Sequence, residues 1–366
     1  MLKIYKSKEM IILLLIVPIF LCILPIKEAK GEESMLPEAS VYVDGQPINT
    51  NYIMKDGHFM VPSIFIKHTG AKVNWNEEYQ SVVFQLGNTY FAIPLGEKYT
   101  DTYIPEQNSW QREELSTITF QYDANIYVPL LDVVNKLGMD VSYNQATNRT
   151  FIETKTTIQS VRINTGSPAN KYVSLTFDDG PENHYTPQIL DILNEKGVPA
   201  TFFVVGQQVV RFPSIMKRIV NEGHGLGNHT WSHPAIPTIT TNEVIREIKK
   251  TQKGIDAVVG REPDIFRPPF GAITRSDDLV LQELGLRTIM WSVDTLDWTG
   301  ISADEILSIV QRDVSPGGII LQHNIEVQPG LGLLDGSVEA LPKIIDRLKE
   351  EGYTFVTIQT LLDNQY

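Results

Sequence analysis

Cysteine is nearly absent. The 366 residues contain one, Cys22, and it lies inside an N-terminal apolar run. A chain cleaved after Gly31 would hold none, so no disulfide framework is expected to hold the fold. Positive charge is also short: 31 Lys and Arg stand against 44 Asp and Glu, for a net charge of −13. Without residues 1–31, which carry five Lys and two Glu, the net charge is −16. So acidic a surface argues against nucleic acid as a partner and gives no long-range attraction to anionic wall polymers. The apolar run itself, Met10 to Ile26, is broken by Pro18 and Pro25 and is slightly short for a membrane span.

Lys3, Lys6 and Lys8 precede that run, and Ala29-Lys30-Gly31 follows it as a small-residue cleavage site. This is the pattern of a secretory signal peptide over residues 1–31. An uncleaved membrane anchor through residues 10–26 is the alternative. The bulky Phe20 and Leu21 before Cys22 argue against a lipoprotein site. The expected location is therefore secreted, or associated with the cell surface or cell wall. Residues 32–40 are polar and read as a linker.

Residues 41–154 are β-rich and contain a repeat. Met60-Val61-Pro62 leads to Gly70-Ala71-Lys72-Val73-Asn74-Trp75-Asn76 and the strand Ser81 to Gln85. Tyr127-Val128-Pro129 leads to Gly138-Met139-Asp140-Val141-Ser142-Tyr143-Asn144 and the strand Arg149 to Glu153. Each copy reads as helix, Gly stop, strand, Asn-containing turn, strand. With Val43-Asp44-Gly45, these features resemble the copper amine oxidase N-terminal-like module. No metal is expected here, because the module has only His58 and His68 and no cysteine. Spacing, wall or glycan contact, and dimerisation are the roles open to it. Tyr90, Tyr99, Tyr103 and Trp110 would either stack on sugars or fill its core. Residues 155–170, with Asn164, Gly166, Ser167 and Pro168, read as an interdomain linker.

From residue 171 to 366, strand-like and helix-like runs alternate. The strands are Tyr172–Phe177, Ala200–Val205, His224–Asn228, Ile265–Arg267, Arg287–Val293, Gly318–Gln322 and Tyr353–Thr357. The amphipathic segments between them are Thr186–Lys196, Ser214–Glu222, Asn242–Val259, Ser276–Leu284, Ala303–Asp313 and Gly336–Glu350. The alternation predicts an α/β fold, a distorted (β/α) barrel of about seven parallel strands, beside a smaller β-rich α+β N-terminal module. An open doubly wound sheet is the alternative.

The unusual polar residues sort to one end of these strands. Asp178 and Asp179 follow the first, and His229 and His233 the third. Arg267 ends the fourth, with Pro268-Pro269-Phe270-Gly271 after it. Asp294, Asp297 and Trp298 follow the fifth, and His323 ends the sixth. Barrel enzymes build their sites on that face. Two adjacent carboxylates at a strand end need compensation, by a cation or a shared proton. His229 and His233, four apart, would point the same way from one helical turn, and with Asp179 could hold a first-row divalent ion. Zinc is the first expectation, with Co2+, Ni2+ or Fe2+ as alternatives. Taken singly, each of these residues also has a structural reading: a solvated turn, a salt bridge for Arg267, a core His for His323.

Together they resemble the NodB-homology polysaccharide deacetylases, carbohydrate esterase family four. The motifs are Thr176-Phe-Asp-Asp-Gly, His229-x-x-x-His233-Pro, Arg267-Pro-Pro-Phe-Gly, Asp294-x-x-Asp297-Trp298 and Leu321-Gln-His323, in that order. The resemblance implies Asp179, His229 and His233 as metal ligands and Asp178 as the general base for the attacking water. It implies His323 as the acid that protonates the leaving amine, Asp297 as the group orienting His323, and Arg267 as the group positioning Asp178. A backbone N–H near Phe270 would stabilise the oxyanion, and Trp298 and Leu321 would line the acetyl pocket. Asn324 departs from the family, in which many members carry Asp. The resemblance also implies a secreted hydrolase removing N-acetyl groups from a cell-wall GlcNAc polymer, first of all peptidoglycan. Chitin, poly-N-acetylglucosamine and O-acetylated xylan are alternative substrates. A wall-binding domain of little activity and an amidohydrolase of small amides are the competing readings.

Overall fold

The run Tyr172–Asp178 reads as a strand with the apolar Val173, Leu175 and Phe177 on one face and Ser174, Thr176 and Asp178 on the other. In the computed structural model it is that strand, buried from Val173 to Asp178. The structure describes residues 36–155, 161–326 and 330–363. The expected export signal over residues 1–31 lies outside them. Among the described residues no helix is long and apolar enough to cross a membrane.

Nine strands build the sheet around this one. In chain order they are β1 (Arg162–Ile163), β2 (Tyr172–Asp178), β3 (Thr201–Val204), β4 (Gly225–Asn228), β5 (Ile265–Phe266), β6 (Arg287–Ile289), β7 (Val293–Asp294), β8 (Gly318–His323) and β9 (Thr354–Phe355). They pair in the order β1-β6-β5-β4-β3-β2-β8-β7, with β9 along the start of β2, and the pairs are parallel. One segment, Arg287–Asp294, serves both ends of the sheet. Met290 N–H bonds the Ile163 carbonyl at 2.8 Å and Ser292 N–H the Ile319 carbonyl at 3.0 Å. That double use curls the sheet into a distorted barrel. It also corrects the expectation of one strand over Arg287–Val293, because a segment that changes partners midway must break its own ladder. β1 is a second difference, since it lies within the stretch read as linker.

The crossover helices are α1 (Tyr185–Lys196), α2 (Pro213–Asn221), α3 (Thr241–Val259), α4 (Arg275–Glu283), α5 (Ala303–Asp313) and α6 (Asp335–Glu350). Their ends are set by local chemistry. Thr240 and Glu243 form a reciprocal capping box at the start of α3, and Gly260, at φ 74°, stops it. Val244, Ile248 and Ile255 lie on its buried face.

In the N-terminal module the two repeat copies face each other. Met60-Val61-Pro62 pairs antiparallel with Tyr127-Val128-Pro129. The first copy continues through a 3-10 helix, Ser63–Thr69, and the second through an α-helix, Leu130–Lys136. Gly70 and Gly138 close them with positive φ, where a side chain would be strained. A five-stranded meander, Lys72–Asn76 to Ser109–Glu114, buries Val73, Phe84, Phe91 and Ile93 on one face. Tyr90, Tyr103 and Trp110 sit on its other face, with Trp110 53% exposed, so this row is surface rather than core.

Candidate active site

Arg267 lies at the end of β5 and is fully buried. A buried guanidinium must place its donors. Its Nη1 donates to Asp178 Oδ1 at 2.7 Å and to Thr176 Oγ1 at 2.8 Å. Nη2 donates to the Met290 carbonyl at 2.9 Å and Nε to that of Ile289 at 3.3 Å. The guanidinium also lies 4.0 Å from the centre of the Phe203 ring. Arg267 is thus held from four sides, and Asp178 is pinned at the end of β2.

Asp179, one residue on, turns away at φ 79°. Its Oδ1 lies 3.1 Å from His229 Nε2 and 3.1 Å from His233 Nε2. Although buried, that oxygen accepts no well-directed hydrogen bond. Burial alone would lift its pKa. The two imidazoles override this and hold the carboxyl far below the usual carboxylate range. His229 Nδ1 donates to the Arg267 carbonyl at 2.7 Å, which aims Nε2 at Asp179. One atom from each of Asp179, His229 and His233 lies within 4.8 Å of the others. A carboxylate and two oriented imidazoles around an unpartnered buried oxygen fit a divalent metal ion.

The two histidines do not converge through a helical turn, contrary to the sequence expectation. Residues 229–233 form an irregular loop after β4, with Thr230 at φ 66° and His233 at φ 59°. Asn228 Oδ1 accepts from Thr230 N–H at 2.9 Å. Glu247 on α3 accepts from the N–H groups of Trp231 and Ser232 at 2.9 and 2.8 Å. These side chains supply the partners that a helix would otherwise give the backbone.

On the opposite wall, Asp297 is fully buried and fixes His323 twice. Oδ2 accepts from the His323 N–H and Oδ1 from its Nδ1–H, both at 2.8 Å. Burial lowers the imidazole's pKa, but the charge and hydrogen bond of Asp297 raise it more, to about 9. Asp178, Asp179, His229, His233, Phe270, Trp298, Leu321 and His323 line one cavity of about 620 Å³. Arg267 and Asp297 stand behind it. Phe270 and Trp298 are 69% and 50% exposed and form its rim. In the turn at Phe270 the Gly271 and Ala272 N–H groups bond the Pro268 and Pro269 carbonyls. Pro268 and Pro269 have no N–H, so Phe270 N–H is the donor this turn has left to offer. All ten residues singled out from sequence therefore come together.

Asn324 does a job that its departure from the family did not reveal. Its Oδ1 accepts from Gly180 N–H at 2.9 Å and its Nδ2 donates to Thr186 Oγ1 at 3.1 Å. It fastens the loop just after the two carboxylates. Thr176, which opened the first motif but was given no role, accepts from Arg267, and Glu247, Trp291, Leu333 and Leu334 also contribute to the site and were not read from sequence. They lie in ordinary strand, helix and loop patterns that carry no chemical signal.

Residues 165–289 match the family model for polysaccharide deacetylase, and residues 42–152 that for the copper amine oxidase N-terminal domain. The chain is 46% identical over 195 residues to a peptidoglycan-N-acetylglucosamine deacetylase of Bacillus cereus, covering 53% of this chain and 70% of that one. It is 40% identical over 192 residues to a peptidoglycan-N-acetylglucosamine deacetylase of Listeria monocytogenes, covering 52% of this chain and 39% of the relative. It is 35% identical over 197 residues to a peptidoglycan-N-acetylmuramic acid deacetylase of Bacillus subtilis, covering 54% and 40%. A crystal structure of a peptidoglycan N-acetylglucosamine deacetylase bound to 4-naphthalen-1-yl-N-oxidanyl-benzamide aligns with a TM-score of 0.54 at 41% identity, over 56% of this chain and 94% of that one.

Proposed function

Because the chain belongs to the polysaccharide deacetylase family, we propose that it is a cell-wall enzyme that hydrolyses the N-acetyl amide of peptidoglycan N-acetylglucosamine. The observation that carries this reading is the meeting of three pairings in one cavity: Arg267 with Asp178, Asp179 with two imidazoles, and Asp297 with His323.

Asp179, His229 and His233 would hold the metal, with zinc as the first candidate. When bound, the ion lowers the pKa of a water molecule and polarises the acetyl carbonyl. Asp178, fixed in place by its pairing with Arg267, takes the proton of the attacking water. The new C–O bond drives the carbonyl electrons onto oxygen, where Phe270 N–H donates to the oxyanion. His323, protonated and oriented by Asp297, gives its proton to the amine nitrogen as the C–N bond breaks. The products are acetate and a free amine on the sugar. Trp298 and Leu321 wall the pocket for the acetyl methyl.

Among the two peptidoglycan sugars, the charge of the cavity favours N-acetylglucosamine. Its described lining holds Asp178, Asp179, Asp294 and Glu326 and no Lys or Arg. Apart from the three histidines given to the metal and the leaving group, nothing in that described lining would receive the lactyl carboxylate of a muramic acid. Export through residues 1–31 would bring the enzyme to this substrate. Mass spectrometry of muropeptides from treated peptidoglycan tests the reading. Acetyl loss from glucosamine supports it, loss from muramic acid alone overturns the choice of sugar, and release only from chitin or acetylated xylan overturns the polymer.

A further inference from the structure

Lys67 belongs to the N-terminal module, in the 3-10 helix Ser63–Thr69, yet its ammonium is buried in the catalytic domain. The side chain is fully inaccessible. Its Nζ lies 2.7 Å from the Ile236 carbonyl, 2.9 Å from the Ile239 carbonyl and 2.8 Å from Asp277 Oδ1. Two carbonyls accept hydrogen bonds from the ammonium, and the Asp277 carboxylate pairs with its charge. Burying an ammonium costs several kcal/mol, so a buried pair is weak evidence for stability and better evidence for a fixed geometry.

The geometry held here is that of the active site. Ile236 and Ile239 lie in the loop that runs from His233 to Thr240, the cap of α3. Asp277 closes the capping box with Thr274 at the start of α4, four residues after Phe270. Lys67 therefore ties together the segments that follow β4 and β5. At the rim the same two segments meet again, where the His233 and Phe270 rings lie 4.7 Å apart. The module adds two further contacts at the same place. Thr241 Oγ1 accepts from Val73 N–H at 3.0 Å, and Asn74 Oδ1 accepts from Asn242 N–H at 2.8 Å, satisfying an N–H that the first turn of α3 leaves free.

We propose that Lys67 is a positioning residue for the metal site, and that the N-terminal module acts through it to hold His233 and Phe270 in place. This rests on the reading of Asp179, His229 and His233 as metal ligands. The module is then a working part of the enzyme and not a spacer.

The test uses the full chain, loaded with Co2+ in place of the native ion. Binding is measured by chelator competition and the ligand field by visible absorption. Lys67→Met keeps the length of the side chain and removes its donors. It should weaken Co2+ binding about tenfold or more, as outer partners of metal ligands do. It should also alter the cobalt spectrum and lower kcat with KM little changed. Lys72→Ala breaks the surface pair with Glu283 on the same domain boundary and should leave all of these unchanged. If Lys67→Met does not fold, Lys67→Gln, which keeps a shorter donor, should shift affinity and spectrum in the same direction by a smaller factor. A folded Lys67 variant with wild-type cobalt affinity and spectrum overturns the proposal. Wild-type protein that binds no Co2+ overturns the metal reading and this proposal with it, and is told apart because the defect is then present without any substitution.

Discussion

Asp178 and Asp179 are neighbours in the chain and have opposite partners. Asp178 faces a buried guanidinium, and Asp179 faces two imidazoles. The mutual repulsion of adjacent carboxylates is relieved by giving each its own positive group. His323 has the complementary arrangement, a base lifted by a buried acid. Its pKa of about 9 stands above the ordinary 6.5, so it stays protonated through neutral pH. The activity that needs this proton is present below that value and is lost as pH rises through about 9. Asp297→Asn removes the charge that lifts the imidazole and leaves the burial that lowers it. The alkaline limb of the pH–rate profile should then move toward neutral pH, along with a loss of rate. An unmoved limb would contradict the assignment of His323 as the acid. Asn324→Ala tests a different kind of contact. It strips Gly180 N–H of its buried acceptor and should cost about 1–3 kcal/mol by chemical denaturation.

Elements with a strong periodic pattern were legible before the structure. Each of the six helices α1 to α6 starts and ends within one residue of the range read from sequence, because caps such as Thr240 with Glu243 and stops such as Gly260 are local signals. The strand ends that carry the chemistry were legible for the same reason. The loop from His229 to His233 was not. A spacing of four is shared by a helical turn and by a loop bent through left-handed residues, and only Asn228 and Glu247 decide between them. Neither contact is visible in the spacing. β1 was missed because two residues are too few to show a period, and the break at Met290 because partner exchange is a tertiary event. This loop makes its own prediction. Glu247→Ala removes the carboxylate that holds Trp231 and Ser232 N–H. It should lower metal affinity by roughly tenfold, while its effect on thermal stability stays small. Equal metal affinity would mean the loop is held without Glu247.

At the scale of the whole molecule, the module and the barrel share polar contacts, of which Lys67 with Asp277 and Val73 with Thr241 are buried. Lys67 with Asp277, Val73 with Thr241, Asn74 with Asn242 and Asp44 with Arg275 all cross between them. None was legible in the sequence, because Lys67 sits in an ordinary amphipathic stretch and its partners lie more than 160 positions away. The expectation from these contacts is a single cooperative unfolding transition in calorimetry. Two separate transitions would show that the boundary contributes little. A metal ion bound only by the folded chain should raise the stability by about 2.7 kcal/mol at a hundredfold excess over its Kd. The central claim is that one cavity joins a metal site to an acid and a base for deacetylation. The most direct measurement is acetate release from peptidoglycan by the wild-type chain and by Asp178→Asn, each before and after metal removal by chelation. The account predicts release that chelation abolishes and zinc restores, and a variant that still binds metal but is slower by about 10²–10⁴-fold. Release that survives chelation, or a variant as active as the wild type, would contradict it.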